Sequence, residues 1–182
     1  GLADIRVISF LGYPVMAMLR IPTRASGGKA NLHLGAVGAG IRLSTGTIVH
    51  CVLHGLPQPE HPDTGQSLPG ARVPFWDEML EIAAEAQHLS GLGFAGVDIA
   101  IDATRGAVVM EVNRRPGLEI QNANAAGLRR RLRAIALRAR SELAVEDRIA
   151  IARSLDEANW GLPSSARGAP QPSGDGSSVP GS

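Results

Sequence analysis

Aromatic residues are nearly missing from this chain, at 3% of its 182 positions, so platforms on which nucleic-acid bases stack are not expected. Charge of one sign is missing too: the formal net charge is +1, which gives no overall pull toward nucleic acid or an anionic lipid surface. Cys51 is the single cysteine, and one thiol excludes an intrachain disulfide. No apolar run is long enough to span a bilayer, and no secretory leader pattern opens the chain. Neither a membrane nor a nucleic-acid partner is therefore expected, and the expected location is cytoplasmic. Lysine is almost absent as well, since Lys29 is the one lysine among 18 basic residues. What is present is a 44% hydrophobic chain, long enough to bury one core.

Asp4 to Gly12 alternates through Ile5, Val7, Ile8 and Phe10, and Gly12-Tyr13-Pro14 turns it into Val15 to Ile21, which predicts a hairpin. In it Val15, Ala17 and Leu19 share one face and Met16, Met18 and Arg20 the other. After a glycine-rich loop, Gly35 to Leu43 and Thr47 to Leu53 are expected to pair around Ser44-Thr45-Gly46. Pro57, Pro59, Pro62, Pro69 and Pro74 mark 57–74 as a long loop, which compact domains keep for a functional reason. Pro74 opens a helix in which Phe75, Trp76, Met79, Leu80, Ile82, Ala83 and Ala86 recur at helical spacing up to Ser90-Gly91. Ala125 to Asn159 is expected to be helical, with one break near Ser141 to Glu146. Glycine, proline and serine dominate 161–182, so 1–160 is expected to form the domain and 161–182 a disordered tail. Hairpins, one helix, a further hairpin and then helices predict an α+β fold built on an antiparallel sheet.

The further hairpin carries the chemistry. Val97 to Asp102 and Ala107 to Val112 flank the turn Ala103-Thr104-Arg105-Gly106. A turn centred between Thr104 and Arg105 sets Val97, Ile99 and Ile101 against Val112, Met110 and Val108 on an apolar face. The opposite face then holds Asp98 across from Glu111, with Asn113 next to Glu111. Facing carboxylates repel unless a proton or a cation lies between them, and an all-oxygen set suits Mg²⁺ better than zinc. An exposed acidic face without a ligand is the other reading of the same pattern.

The run Glu111-Val112-Asn113-Arg114-Arg115-Pro116-Gly117-Leu118-Glu119 resembles the metal-binding signature of ATP-grasp ligases, in which a strand ends in Glu-x-Asn ahead of a Pro-Gly turn. Upstream, Arg24-Ala-Ser-Gly-Gly-Lys29-Ala-Asn31-Leu-His33-Leu-Gly35-Ala36 resembles the loop and strand start that glutamate-adding members use beside the phosphates. Downstream, Ile120 to Leu128, with Asn124 and Gly127, is similar to the alpha-L-glutamate ligase-like, or sugar-transfer-associated, subgroup. The likeness spans Ala3 to Leu132.

The resemblance implies Mg²⁺ or Mn²⁺ held by Asp98, Glu111 and Asn113, and ATP contacted by Lys29, Asn31, Gly35 and Asn113. Lys29, Arg20 and Arg115 are the expected catalytic cations, although related glutamate ligases carry an arginine where Lys29 stands. The implied reaction joins a carboxylate to an amine, on an amino acid or peptide, through an acyl phosphate. An earlier lobe, with the lid and the adenine contacts, is expected upstream of Gly1. A noncatalytic module that keeps the fold and the metal, or binds a partner, is the alternative.

Three other features are weighed against blander readings. Leu128 to Arg140 is arginine-rich, but Leu128, Leu132, Ile135, Ala136 and Ala139 form an apolar stripe, which reads as an amphipathic helix with solvated arginines. His50 and His54 flank Cys51 on a strand end, too far apart for one zinc ion without a bend. His33 and His61 sit in loops near the implied substrate opening, where a surface role without chemistry is expected.

Overall fold

The computed structural model describes residues 1–140 and 142–157. The tail at 161–182 and the expected helix end at Asn159 lie outside the described residues. Alternation builds the strands β1 (Asp4–Phe10), β2 (Tyr13–Ile21), β3 (Val37–Ile41), β4 (Ile48–Leu53), β5 (Leu56–Pro57), β6 (Phe94–Asp102) and β7 (Gly106–Asn113). Helical periodicity builds α1 (Trp76–Leu89), α2 (Ile120–Ala123), α3 (Leu128–Ala136) and α4 (Val145–Glu157). The seven strands form one sheet in the order β5-β4-β3-β2-β1-β6-β7, with every named pairing antiparallel. The fold is α+β, as its alternation predicted.

Each sheet face buries a different set of helices. Ile5, Val7, Ala17, Ile41, Val97 and Ile99 pack under Trp76, Met79, Leu80 and Ala83 of α1. Ile8, Met16, Met18 and Val52 point the other way and meet Ile120 and Ala123 of α2 and Leu128 and Ile135 of α3. α4 contributes Ile149 to the first cluster and Leu155 to the second. Removing apolar area at this rate, ~25 cal/mol per Å², is what holds the helices to the sheet.

Several boundaries differ from the expected ones. Phe75 stays outside α1, half-exposed and with φ 54, so the helix begins at Trp76, whose indole Nε1–H donates to the Leu43 carbonyl at 2.8 Å. Ala125 to Gly127 is a turn and not the start of a helix, with Ala125 at φ 47. The Gln121 side chain accepts from the Leu128 N–H at 3.0 Å and fixes where α3 begins. Within the arginine run, Arg131 turns inward to Asp156 at 2.6 Å and to the Val15 carbonyl at 3.2 Å, while Ala136 is exposed.

The β6–β7 pair carries two departures that cancel. The turn is one residue tighter than expected, with Asp102 opposite Gly106, so Ile99 meets Val109 and Ile101 meets Ala107. A bulge between Asp98 and Ile99 then leaves Met110 unpaired and 56% exposed, where the sequence placed it on the apolar face. Beyond the bulge the expected register returns: Asp98 lies opposite Glu111 and Gly96 opposite Asn113.

Asp102 closes that turn. Its Oδ1 accepts from the Thr104 hydroxyl at 2.7 Å, the Thr104 N–H at 2.9 Å and the Arg105 N–H at 3.0 Å. These donors, the Thr104 hydroxyl first, hold the carboxyl down at about 2. Because the folded value is depressed, the stabilisation is full above the ordinary 3.8 and fades as pH falls toward 2. The stability gap between wild type and Asp102→Ala, read by urea unfolding, is therefore expected to shrink from about pH 4 to pH 2. A gap constant across that window would show that the carboxylate does not brace the turn.

Candidate functional site

Asp4 and Arg6 alternate with Ile5 and Val7 on β1, so their side chains leave the α1 face for the opposite one. Strand pairing sets Asp4 opposite Arg20 on β2, and Arg6 opposite Asp98 on β6. The result is a largely buried chain of charges. Arg6 grips Asp98 with Nε to Oδ1 at 2.7 Å and Nη2 to Oδ2 at 2.6 Å. Arg20 grips Asp4 in the same forked manner, at 2.5 and 2.7 Å, and its Nη2 reaches Asp98 Oδ2 at 2.8 Å. Burial pushes the Asp4 carboxyl above its ordinary value, against the pull of Arg20. Burial would lower Arg20, but Asp4 and Asp98 together outweigh it and hold the guanidinium charged.

Glu111 and Asn113 stand one strand further out, on β7. Glu111 is exposed and has no hydrogen-bond or ion-pair partner among the described residues. Asn113 Oδ1 accepts from the Arg115 N–H at 2.9 Å, which leaves that oxygen a second lone pair. Pro116 is packed over Gly96, the cross-strand partner of Asn113; a Cβ at Gly96 would lie 2.6 Å from the Pro116 Cβ, so only glycine lets this turn sit down on the sheet. Arg115 is exposed beside it.

Arg6 and Arg20 also line a cavity of about 280 Å³ with Asn31, His33, Gly117 and Glu119. The Nη1 groups of both arginines make no hydrogen bond among the described residues, so each guanidinium keeps donors to offer there. Asn31 caps a single 3-10 turn, Leu32–Leu34, by accepting from the His33 N–H at 2.9 Å. Gly35 ends that turn with φ 98 and lies buried under it, outside the cavity lining. Lys29 is exposed on the loop just before Asn31, and its ammonium is unpaired among the described residues.

The long 57–74 loop latches onto the Lys29 loop. Asp63 Oδ2 accepts from the Arg24 N–H at 2.8 Å, while the His61 ring contacts the Pro22 carbonyl through Nε2 at 3.1 Å and the Asp63 N–H through Nδ1 at 3.2 Å. An N–H donor at Nδ1 requires Nδ1 to accept, so the network assigns the proton of His61 to Nε2.

A divalent cation finds oxygen donors here, on unequal terms. Glu111 and Asn113 present oxygens free to coordinate, and Mg²⁺ commonly takes one or two protein oxygens with phosphate and water completing its octahedron. Asp98 faces Glu111, but its Oδ2 accepts from both arginines and its Oδ1 from Arg6, which leaves Oδ1 one lone pair for a cation. Among the described residues no three His, Cys, Asp or Glu side chains come together as a metal cluster. Cys51 is buried in the core, its thiol pushed up to about 11 by burial, and so stays protonated at neutral pH.

The family model of the sugar-transfer-associated ATP-grasp proteins matches residues 1–136, which hold every strand of the sheet and the acidic hairpin. The chain belongs to the sugar-transfer-associated ATP-grasp family. Membership points to an ATP-binding, ligase-type enzyme whose family generally uses Mg²⁺ or Mn²⁺. No curated protein matches the chain. Among the described residues of this ATP-grasp chain no helix is long and apolar enough to cross a membrane.

The sequence reading of the ATP-grasp site missed Arg6, Asp4 and Glu119. Two charged residues spaced by two on an otherwise apolar strand were the available signal for Asp4 and Arg6. Glu119 lies two residues after Gly117, and only the folding back of the chain brings it to line the same cavity as Arg6.

Proposed function

We propose that this ATP-grasp chain is the metal- and phosphate-binding part of an ATP-dependent carboxylate–amine ligase of the glutamate ligase-like type. The observation that supports it most is the cavity in which Arg6 and Arg20 offer unused N–H groups, two and three strands along the sheet from the free oxygens of Glu111 and Asn113. Cations and oxygen ligands on one sheet face are what phosphoryl transfer onto a carboxylate needs.

In this reading the substrate carboxylate attacks the γ-phosphorus of ATP, the β–γ bridge bond breaks, and ADP leaves. The amine then attacks the acyl carbon, loses a proton, and inorganic phosphate departs. Glu111 and Asn113 would hold a divalent ion, with the remaining lone pair of Asp98 Oδ1 as a third oxygen donor. That ion would neutralise charge spreading over the phosphate oxygens. Lys29, on its exposed loop beside Asn31, reaches the phosphates as a compact point charge. Arg115 and the free donors of Arg6 and Arg20 orient the acid and the phosphoryl group. Asn31, Gly35 and Asn113 shape the nucleotide side, Gly35 by ending the 3-10 turn that presents Asn31.

Hydroxylamine tests this reading. With ATP, Mg²⁺ and a panel of amino acids and short peptides, the reading expects ADP formation that depends on the acid, and a hydroxamate from trapping of the acyl phosphate. ADP formation without any hydroxamate would sink the acyl-phosphate route. The clamping of Asp98 by two arginines favours a second reading, a noncatalytic module that binds ATP without turnover. Under that reading nucleotide binds and no ADP forms with any acid.

A further inference from the structure

At the other end of the β1–β2 hairpin, about 20 Å from Asp4 by strand rise, lies a second cavity of about 380 Å³. Leu11 and Gly12, Gly91 to Gly93, Gln87 and His88 of α1, and Ala139, Arg140 and Arg148 line it. Its walls are pinned and do not need a ligand to form. Gln87, 2% exposed, accepts from the Gly12 N–H at 2.5 Å through its oxygen and donates to the Leu92 carbonyl through its nitrogen. The Leu11 N–H donates to the Gly93 carbonyl at 3.0 Å.

Into this frame the fold brings a guanidinium that is poorly compensated. Arg148 is 7% exposed, yet its two hydrogen bonds are long, 3.3 Å to the Gly12 carbonyl and 3.4 Å to Glu85, and its Nε is buried without a partner. Burying a charged group on such terms is costly unless another acceptor completes it. Position 12 is shaped around it: a Cβ there would lie 2.0 Å from Arg148 Nη1. Arg140 lines the same cavity, largely exposed, and no acidic side chain is among the described residues that line it. Two positive charges, one of them short of acceptors, face a space whose remaining walls are Leu11, Leu92, Ala139, glycine backbone and the polar side chains of Gln87 and His88.

We propose that this cavity binds a phosphate monoester with a small apolar body, the dianion received by Arg148 and Arg140 and the body by Leu11 and Leu92. The forked donors of two guanidiniums match a dianionic phosphate in charge and geometry better than they match a monocarboxylate. The site is separate from the acidic hairpin face and stands whether or not the chain is a ligase.

Amide spectra of the ¹⁵N-labelled protein test it, with phenyl phosphate as the probe and benzoate and benzyl alcohol as comparisons. Phenyl phosphate is expected to shift the Gly91 and Gly93 amides, benzoate to do so more weakly, and benzyl alcohol not at all. Arg140→Ala, at an exposed position that leaves the fold intact, is expected to bind phenyl phosphate about tenfold more weakly. Arg148→Gln is expected to abolish the shifts. The proposal is overturned if phenyl phosphate moves only the Gly117 amide at the other cavity, if Arg140→Ala binds as tightly as wild type, or if benzyl alcohol or benzoate binds as well as phenyl phosphate.

Discussion

Asp98→Asn is expected to destabilise the fold by about 3–5 kcal/mol, the usual cost of leaving a buried charge without its partner. The Asp98 carboxylate receives three charge-assisted hydrogen bonds, at 2.7, 2.6 and 2.8 Å, from Arg6 and Arg20. All three side chains are at most 12% exposed, so water does little to replace a lost partner. An asparagine keeps the shape but removes the charge, and its amide nitrogen would face a guanidinium donor. Arg6 would then be left charged and unpaired, while Arg20 would keep only Asp4. Urea unfolding should show a lower midpoint with an unchanged slope. A double variant, Arg6→Met with Asp98→Leu, removes the pair together and is expected to lose less than Asp98→Asn alone. A loss below about 1 kcal/mol for Asp98→Asn would mean that the pair behaves as a surface salt bridge and that the carboxylate is free for other work.

That ion-pair network was the part of the site least legible in the sequence. Hairpins declare themselves locally, because alternation and a turn signal fall within a few residues of each other, and β1–β2, β3–β4 and β6–β7 all form as hairpins, although the first turn is Leu11-Gly12, with Tyr13 and Pro14 already in β2. The pairing of β1 with β6 is different. It joins Arg6 to Asp98 across α1 and the whole 57–74 loop, and nothing in local periodicity says which earlier strand β6 will choose. Asp98 could thus be read as an acid facing Glu111, as it does, without sight of the two arginines behind it. The Asp98–Glu111 register was itself recovered through two compensating departures, the tighter turn and the bulge at Met110, neither of which alternation encodes. In the helical half, the apolar stripe marked the inner face of α3, but Arg131 is drawn in by Asp156 of α4, a partner that only packing supplies.

Glu111→Ala is expected to leave stability within about 0.5 kcal/mol of wild type, because an exposed side chain without partners has little to lose. Its effect should fall on metal binding alone. Outer partners of metal sites cost 10–100-fold in affinity when removed, so loss of a direct carboxylate is expected to weaken ATP-dependent Mn²⁺ binding by more than about tenfold. Asn113→Ala removes a neutral ligand and the acceptor for the Arg115 N–H, and a smaller loss is expected. Electron paramagnetic resonance of free Mn²⁺, titrated with and without ATP, reads both variants directly. The comparison with Asp98→Asn separates the roles on this face. If Asp98 serves chiefly to hold Arg6 and Arg20, whatever fraction of Asp98→Asn stays folded keeps its Mn²⁺ affinity while Glu111→Ala loses it. If the two variants lose affinity alike, Asp98 is a ligand in the nucleotide-bound state. Equal Mn²⁺ binding by wild type and Glu111→Ala would remove the metal from this hairpin altogether.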